Sequence, residues 1–206
     1  MVKGIFIVID GLDGSGKSEI VKLLHNYLFS KSKKYKILTT REPTSGKYGN
    51  EVRNILANEI DPKINSEKML ELFIRDREDH LKNTILPFLN KSNDHEANIV
   101  ISDRYYYSTI AFQATQGLDM KMLIEINKEF LKPEIAFILD IKPDMALERI
   151  KTRKKEKFEQ LSFMNKLRSK FLEMPELLKG NIVIIDASKT LEEVFEEIKK
   201  EVDKVL

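Results

Sequence analysis

The stretch Ile5-Phe6-Ile7-Val8-Ile9-Asp10-Gly11-Leu12-Asp13-Gly14-Ser15-Gly16-Lys17-Ser18 decides the fold. Its first half is an apolar, β-branched run, too short to cross a membrane and closed by an aspartate, so it reads as a buried strand. Its second half fits G-x-x-x-x-G-K-[ST]. The spaced apolar residues Ile20, Leu23, Leu24, Tyr27 and Leu28 that follow predict a helix directly behind it. The glycines let successive N–H groups turn inward, and the helix adds the positive end of its dipole. Gly11, Leu12, Asp13, Gly14, Ser15, Gly16, Lys17 and Ser18 therefore form a cradle for a polyphosphate. Lys17 is placed for the β- and γ-phosphates, and Ser18 supplies a hydroxyl to Mg2+ bridging them.

Outward from this stretch, further short apolar runs occur at Lys36 to Thr40, Ile99 to Ser102, Ile135 to Asp140 and Ile182 to Asp186, separated by longer helical patterns. That alternation predicts a three-layer α/β fold, a five-stranded parallel sheet covered by helices on both faces. At 206 residues and 42% hydrophobic content the chain suffices for one core, and the polar stretch Asn90 to Asn98 is too short to separate domains, so residues 1–206 read as a single domain. Lys+Arg 35 against Asp+Glu 33 leaves a charge of +2, which gives no reason to expect a nucleic-acid partner. The absence of cysteine excludes disulfides, thiolate metal sites and a catalytic thiol; it suits a reducing cytoplasm and leaves oxygen ligands for any metal. No apolar stretch approaches membrane-spanning length, and the expectation is a soluble cytoplasmic protein without a membrane partner.

Three other places carry chemistry. The run Asn98 to Arg104 ends a buried strand in an acid followed by a base, at the edge where open α/β sheets bind ligands. Asp103 is placed as a carboxylate for Mg2+ or as a helix cap, and Arg104 as a ligand group or a solvated charge. The second strand ends in Arg41-Glu42-Pro43, where Arg41 fits either a bidentate grip on an acceptor phosphate or a pair with Glu42. A helix capped by Ser66 puts Leu70, Phe73, Ile74, Arg77, Leu81 and Ile85 on one face, with Arg77 inside the apolar stripe. A guanidinium there needs a partner, and an internal ion pair satisfies that need as well as a ligand does.

Together, the cradle, Arg41-Glu42-Pro43, Phe73 with Arg77, Asp103-Arg104-Tyr105 and the segment Ser108 to Gln113 closely resemble thymidylate kinase in order and spacing, from Gly4 to about Phe195. The resemblance implies a P-loop nucleoside monophosphate kinase, usually a homodimer, that transfers phosphate from ATP to dTMP. It implies that Asp13 accepts from the 3′-hydroxyl of dTMP, that Phe73 stacks on thymine and that Arg77 hydrogen-bonds its O4. Arg41 and Arg104 would hold the monophosphate, and Pro43, Tyr105, Ser108, Thr109 and Gln113 would line the pocket. Asp103 would serve the metal with Ser18.

Some thymidylate kinases place a catalytic arginine in the cradle after the acidic residue, where this chain has Gly14. On composition alone the basic run Arg149 to Lys155 is a solvated surface or, equally, a weak nucleic-acid patch; the resemblance makes it part of a lid at about 149–158, with Arg153 and then Arg149 as sources of transition-state charge. Asn181 to Ser188 resembles the last strand and turn that contact adenine, and an ordinary strand and turn fit it equally. Kinases on this fold acting on dUMP, another nucleotide or a nucleoside compete with the dTMP reading. A nucleotide-dependent switch is a more distant alternative, because no Asn-Lys-x-Asp tetrad for guanine is present.

Overall fold

In a computed structural model, which describes residues 4–58, 65–93, 95–150 and 161–206, the apolar runs become strands β1 (Ile5–Gly11), β2 (Tyr35–Arg41), β3 (Ala97–Asp103), β4 (Ile135–Asp140) and β5 (Ile182–Asp186). All neighbouring pairs are parallel, in the order β2-β3-β1-β4-β5. Every residue of β1 and β3 is buried, as cover on both faces requires. The edge strands depart from that expectation. β2 has no fully buried residue, and in β5 only Ile185 is buried while Ile184 is 37% exposed. An apolar run reports strand propensity, whereas burial depends on position in the sheet, and β5 pairs with β4 alone.

The helices are α1 (Lys17–Lys31), α2 (Lys47–Asn58), α3 (Ser66–His80), α4 (Leu86–Leu89), α5 (Tyr106–Thr115), α6 (Met120–Asn127), α7 (Pro143–Arg149), α8 (Leu161–Leu172), α9 (Met174–Leu177) and α10 (Leu191–Val202). One helical layer packs α1 on β1, β2 and β3 with α10 beside it; in the other, α5 lies on β1 with α3, α6 and α8 against it. A capping box at Thr190 and Glu193 starts α10.

The helix expected from a Ser66 cap differs at both ends. Ser66 is its first residue and Asn65 takes the cap position. At the far end, Leu81–Ile85 form a π-helical turn in which the Leu86 N–H donates to the Leu81 carbonyl five residues back. Pro87, at the start of α4, has no N–H to continue an ordinary α ladder, and the wider turn carries the chain past it. The predicted face survives: Leu70, Arg77, Leu81 and Ile85 are buried, and Phe73 and Ile74 are half-buried.

The chain leaves β1 toward β2 and leaves β3 toward β4, in opposite directions across the sheet, so a crevice opens at the carboxyl ends of these two neighbours. Gly11 and Asp103 both stand there. Because β1 is central and β5 an edge, Ile7→Ala should cost about 2–5 kcal/mol of stability and Ile184→Ala about 1 kcal/mol or less by urea denaturation. Equal losses would contradict this sheet order.

Candidate active site

The loop after β1 turns through positive φ at Gly11 (132°), Gly14 (82°) and Gly16 (95°) before α1 begins at Lys17. At Gly14 close approach adds to the backbone requirement: a Cβ would sit 2.4 Å from the Ala146 carbonyl oxygen of α7. An arginine at this position therefore has no room while α7 stays in place. Lys17 is buried, and its Nζ donates to the carbonyls of Gly11 (3.1 Å) and Leu12 (2.7 Å) and lies 3.7 Å from Asp13 Oδ1. Burial, reinforced by Arg104, pulls its pKa down to about 8, against the opposing pull of Asp13, Asp103 and Asp10.

Behind the lysine, Ser18 Oγ donates to Asp103 Oδ2 at 2.9 Å. Asp103 is buried, and its Oδ1 has no hydrogen-bond partner among the described residues. A hydroxyl beside a carboxylate with one uncommitted oxygen is a donor pair that fits Mg2+. No group of three or more His, Asp or Glu that could hold a metal occurs among the described residues, so this pair would hold the ion only together with phosphate oxygens.

Arg104 follows at φ 75°, a left-handed conformation uncommon outside glycine. That turn sends its guanidinium back over the cradle, where Nη1 donates to Gly11 O and Ser108 Oγ and Nη2 to Asp13 Oδ1. Burial works against its charge, but Asp13, Asp10 and Asp103 outweigh burial and hold it protonated. In return, Arg104 holds the Asp13 carboxyl well below the usual carboxylate range, against burial and with help from Lys17.

Beyond this pair opens a cavity of about 360 Å³. Its walls include Asp13, Arg41, Pro43, Phe73, Arg77, Arg104, Tyr105, Ser108 and Thr109, nine of the ten residues expected there. Gln113 is the exception. It is fully buried, outside the cavity wall, and neither of its side-chain amide atoms has a partner among the described residues. Arg41 also faces a polar groove of about 720 Å³ that contains Ser18 and Asp103. It makes no pair with Glu42, whose carboxylate is engaged elsewhere.

That engagement explains the charge in the apolar stripe of α3. Arg77 is fully buried; its Nε and Nη2 donate to Glu42 Oε2 at 2.9 and 2.8 Å, Nη2 to Thr109 Oγ1 at 2.8 Å and Nη1 to Asn127 Oδ1 at 2.8 Å. The rings of Tyr105 and Phe130 flank the guanidinium at 5.2 and 5.3 Å. Glu42 Oε1 is 3.1 Å from His80 Nδ1. Arg77 is thus an internal ion pair and a cavity wall at once. A guanidinium has five N–H groups, and the bonds above engage four of them among the described residues, with one on Nη1 left over.

Arg149 is engaged by its Nη1, which donates to the Ala187 carbonyl at 2.9 Å and ties α7 to the turn after β5. Arg153 and the rest of the expected lid from 151 onward lie outside the described residues. Four groups of the site carried little sequence signal. Asp10 is fully buried and accepts from the N–H groups of Gly11, Tyr105 and Ser108. Arg53 of α2 lines both cavities and donates to the carbonyls of Pro43 and Thr44. Asp76 accepts from the N–H (2.7 Å) and hydroxyl (2.5 Å) of Thr44, shaping the same turn. Phe163, Met164, Leu167 and Phe171 of α8 form a further part of the cavity wall. Their one-sided spacing is visible in sequence, but nothing there says which surface they meet.

A family model described as thymidylate kinase matches residues 9–198. A probable thymidylate kinase of Archaeoglobus fulgidus is 36% identical over 98% of this chain and 96% of its own length. One from Pyrococcus horikoshii is 36% identical over 96% and 95%, and a thymidylate kinase of Leptospira interrogans is 37% identical over 95% and 92%. Matching this complete places the cradle, the cavity and α8 all within the shared length.

Removing Arg77 should strand Glu42 as a buried charge. Arg77→Met is expected to lose about 3–5 kcal/mol in urea denaturation, and Glu42→Gln/Arg77→Met to recover most of it. A double variant as unstable as the single one would show that the pair is not what holds this region.

Proposed function

The chain belongs to the thymidylate kinase family, whose reaction is ATP-dependent phosphorylation of dTMP to dTDP, and we propose that it carries out this transfer with its donor site in the cradle and its acceptor site in the 360 Å³ cavity. The observation that carries the assignment of sites is the position of Arg41. It stands on the wall shared by the acceptor cavity and the groove holding Ser18 and Asp103, where two phosphate chains would meet.

A phosphate oxygen of dTMP attacks the γ-phosphorus in line, a new P–O bond forms, and the bond to the β-phosphate oxygen breaks to release ADP. The acceptor already carries a nucleophilic oxygen and the transition state is loose, so the protein's work is positioning and charge neutralisation. Lys17 exchanges its bonds to loop carbonyls for the phosphates. Arg41, with Arg53 beside it, offsets repulsion between the two anions, and Arg104 adds charge at the cavity mouth. Ser18 and Asp103 would hold Mg2+, which would supply charge neutralisation of the polyphosphate. Arg153 is retained as a further source of charge from the expected lid. Arg149, with its bond to Ala187, suits the adenine side of the donor site better than the transferring group.

Base choice follows from the Nη1 N–H of Arg77 that is left over among the described contacts. It suits a carbonyl, such as O4 of thymine, whereas the amino group of cytosine would leave two donors facing each other. Phe73 supplies the stacking face, and Asp13 accepts from the sugar hydroxyl. By the same family likeness the protein is a cytoplasmic homodimer acting on free nucleotides. No described helix is long and apolar enough to cross a membrane.

An assay coupled to ADP release, offering dTMP, dUMP, dCMP, dGMP, AMP, UMP and thymidine in turn, should show dTMP clearly ahead. Preference for another acceptor would overturn the base-recognition reading, and silence with all of them the kinase itself. Lys17→Ala should abolish turnover. Arg77→Ala should raise the KM for dTMP about 10- to 150-fold, the worth of a charged hydrogen bond of about 1.5–3 kcal/mol.

The protonated lysine is the form that pairs with phosphate. A Lys17 pKa of about 8 therefore means that kcat/KM for ATP holds below that pH and falls about tenfold per unit above it. A profile flat to pH 10 would show that Lys17 stays charged in the free enzyme.

A further inference from the structure

The acceptor cavity is closed on one side by α8, and the way α8 is fastened bears on the geometry of that wall. Phe163, Met164, Leu167 and Phe171 lie within about 100° of one another around the helix and all face the cavity. Phe163 also meets the ring of Phe112 of α5 edge-on at 5.5 Å. Contacts of this kind are apolar and non-directional, and by themselves they permit the helix to roll. On the flank of the same face stands Arg168. Its Nε and Nη2 donate to the two oxygens of Asp140 at 2.6 and 2.8 Å, a two-pronged pair that fixes direction as well as distance.

Asp140 is the last residue of β4, directly after Leu139, which lies opposite Gly11 of the cradle in the β1–β4 register. Its backbone is held too, since its carbonyl accepts from the Ala187 N–H. The pair is partly open to water, with side chains 31% and 20% exposed, so its contribution to global stability is small. Its value lies in orientation: it references the outer wall of the acceptor cavity to the strand pair that carries the cradle.

We infer that Arg168 is a positioning residue for the acceptor, acting through the orientation of α8 rather than by touching either nucleotide. This inference rests on reading the cavity as the dTMP site. Without the fork, α8 keeps its apolar contacts but loses its angular reference, and the wall over the acceptor loosens while the donor site is untouched.

The test compares the full-length enzyme with Arg168→Met, Arg168→Lys and, as a control, Lys170→Met, which removes a surface pair between α8 and Glu173 just beyond its end. Hydrogen–deuterium exchange is measured without nucleotides, and KM for dTMP, KM for ATP, kcat and Tm are measured in parallel. Arg168→Met should speed exchange across 161–172, raise the KM for dTMP about tenfold and leave KM for ATP and kcat within about twofold. Arg168→Lys, which keeps the charge without the fork, should recover part of the KM, and the control should match the unaltered enzyme. Unchanged exchange, an unchanged KM for dTMP, or a parallel loss in both KM values with a lowered Tm would each overturn the inference. The exchange measurement needs no acceptor, so failure of the dTMP assignment would appear separately, as absent dTMP turnover in the unaltered enzyme.

Discussion

The carboxylate of Asp10, buried at the end of the central strand, ties together parts of the chain that are about a hundred residues apart. It accepts from its neighbour Gly11 (2.8 Å), from the N–H groups of Tyr105 (3.1 Å) and Ser108 (3.0 Å), and from the Ser108 hydroxyl. Burial pushes this carboxyl's pKa up, while Arg104 and the hydrogen bonds from Ser108 and Gly11 work against that shift. Because Asp10 takes up the free N–H groups at the start of α5, the segment from Asp103 to Ser108 has one position relative to the cradle. Arg104 can then be held at φ 75° with its guanidinium over Asp13, a conformation of about 1–3 kcal/mol strain that the surrounding bonds offset.

A second buried acid organises the far side of the site. Glu42 receives Arg77 on one oxygen and His80 on the other, and His80 reaches Thr40 at 2.6 Å through its remaining nitrogen. The end of β2 is thereby fastened to α3. The turn that follows is fixed by Asp76 of α3 and Arg53 of α2, and Gly49 of α2 leaves no space there, since a Cβ would stand 2.1 Å from the Thr44 carbonyl oxygen. Burying Arg77 requires a set of partners, and Glu42, Thr109 and Asn127 supply it from three separate elements.

The strands, the cradle and most of the cavity wall were legible in the sequence because each depends on short-range patterns. β-Branched runs mark strands, glycine spacing marks the loop, and an acid or base at a strand end marks the sheet edge where ligands bind. The partners of those residues were less legible. Arg77 looked misplaced within its own helix because the partners that satisfy it are distant in sequence: Glu42 lies 35 positions away and Asn127 lies 50 away. Asp10 looked like the stop of an apolar run. Arg53 had no local oddity to mark it, and Gln113 sat in the right motif but points into the core. The π turn at Leu81 and the half-open edge strand β5 follow from neighbours in space, which periodicity does not report.

The contact between Gly14 and α7 bears on how this enzyme could change over evolutionary time. A chain with arginine at position 14 is more than one tolerated substitution away from this one. At Gly14 any side chain meets both a left-handed backbone and the Ala146 carbonyl, so a lone mutation to arginine would damage the loop before the new charge could help. Passage between the two arrangements must begin with a displacement of α7, a change with no catalytic benefit of its own. Such an ordering keeps glycine at this position for as long as α7 stays packed against the loop.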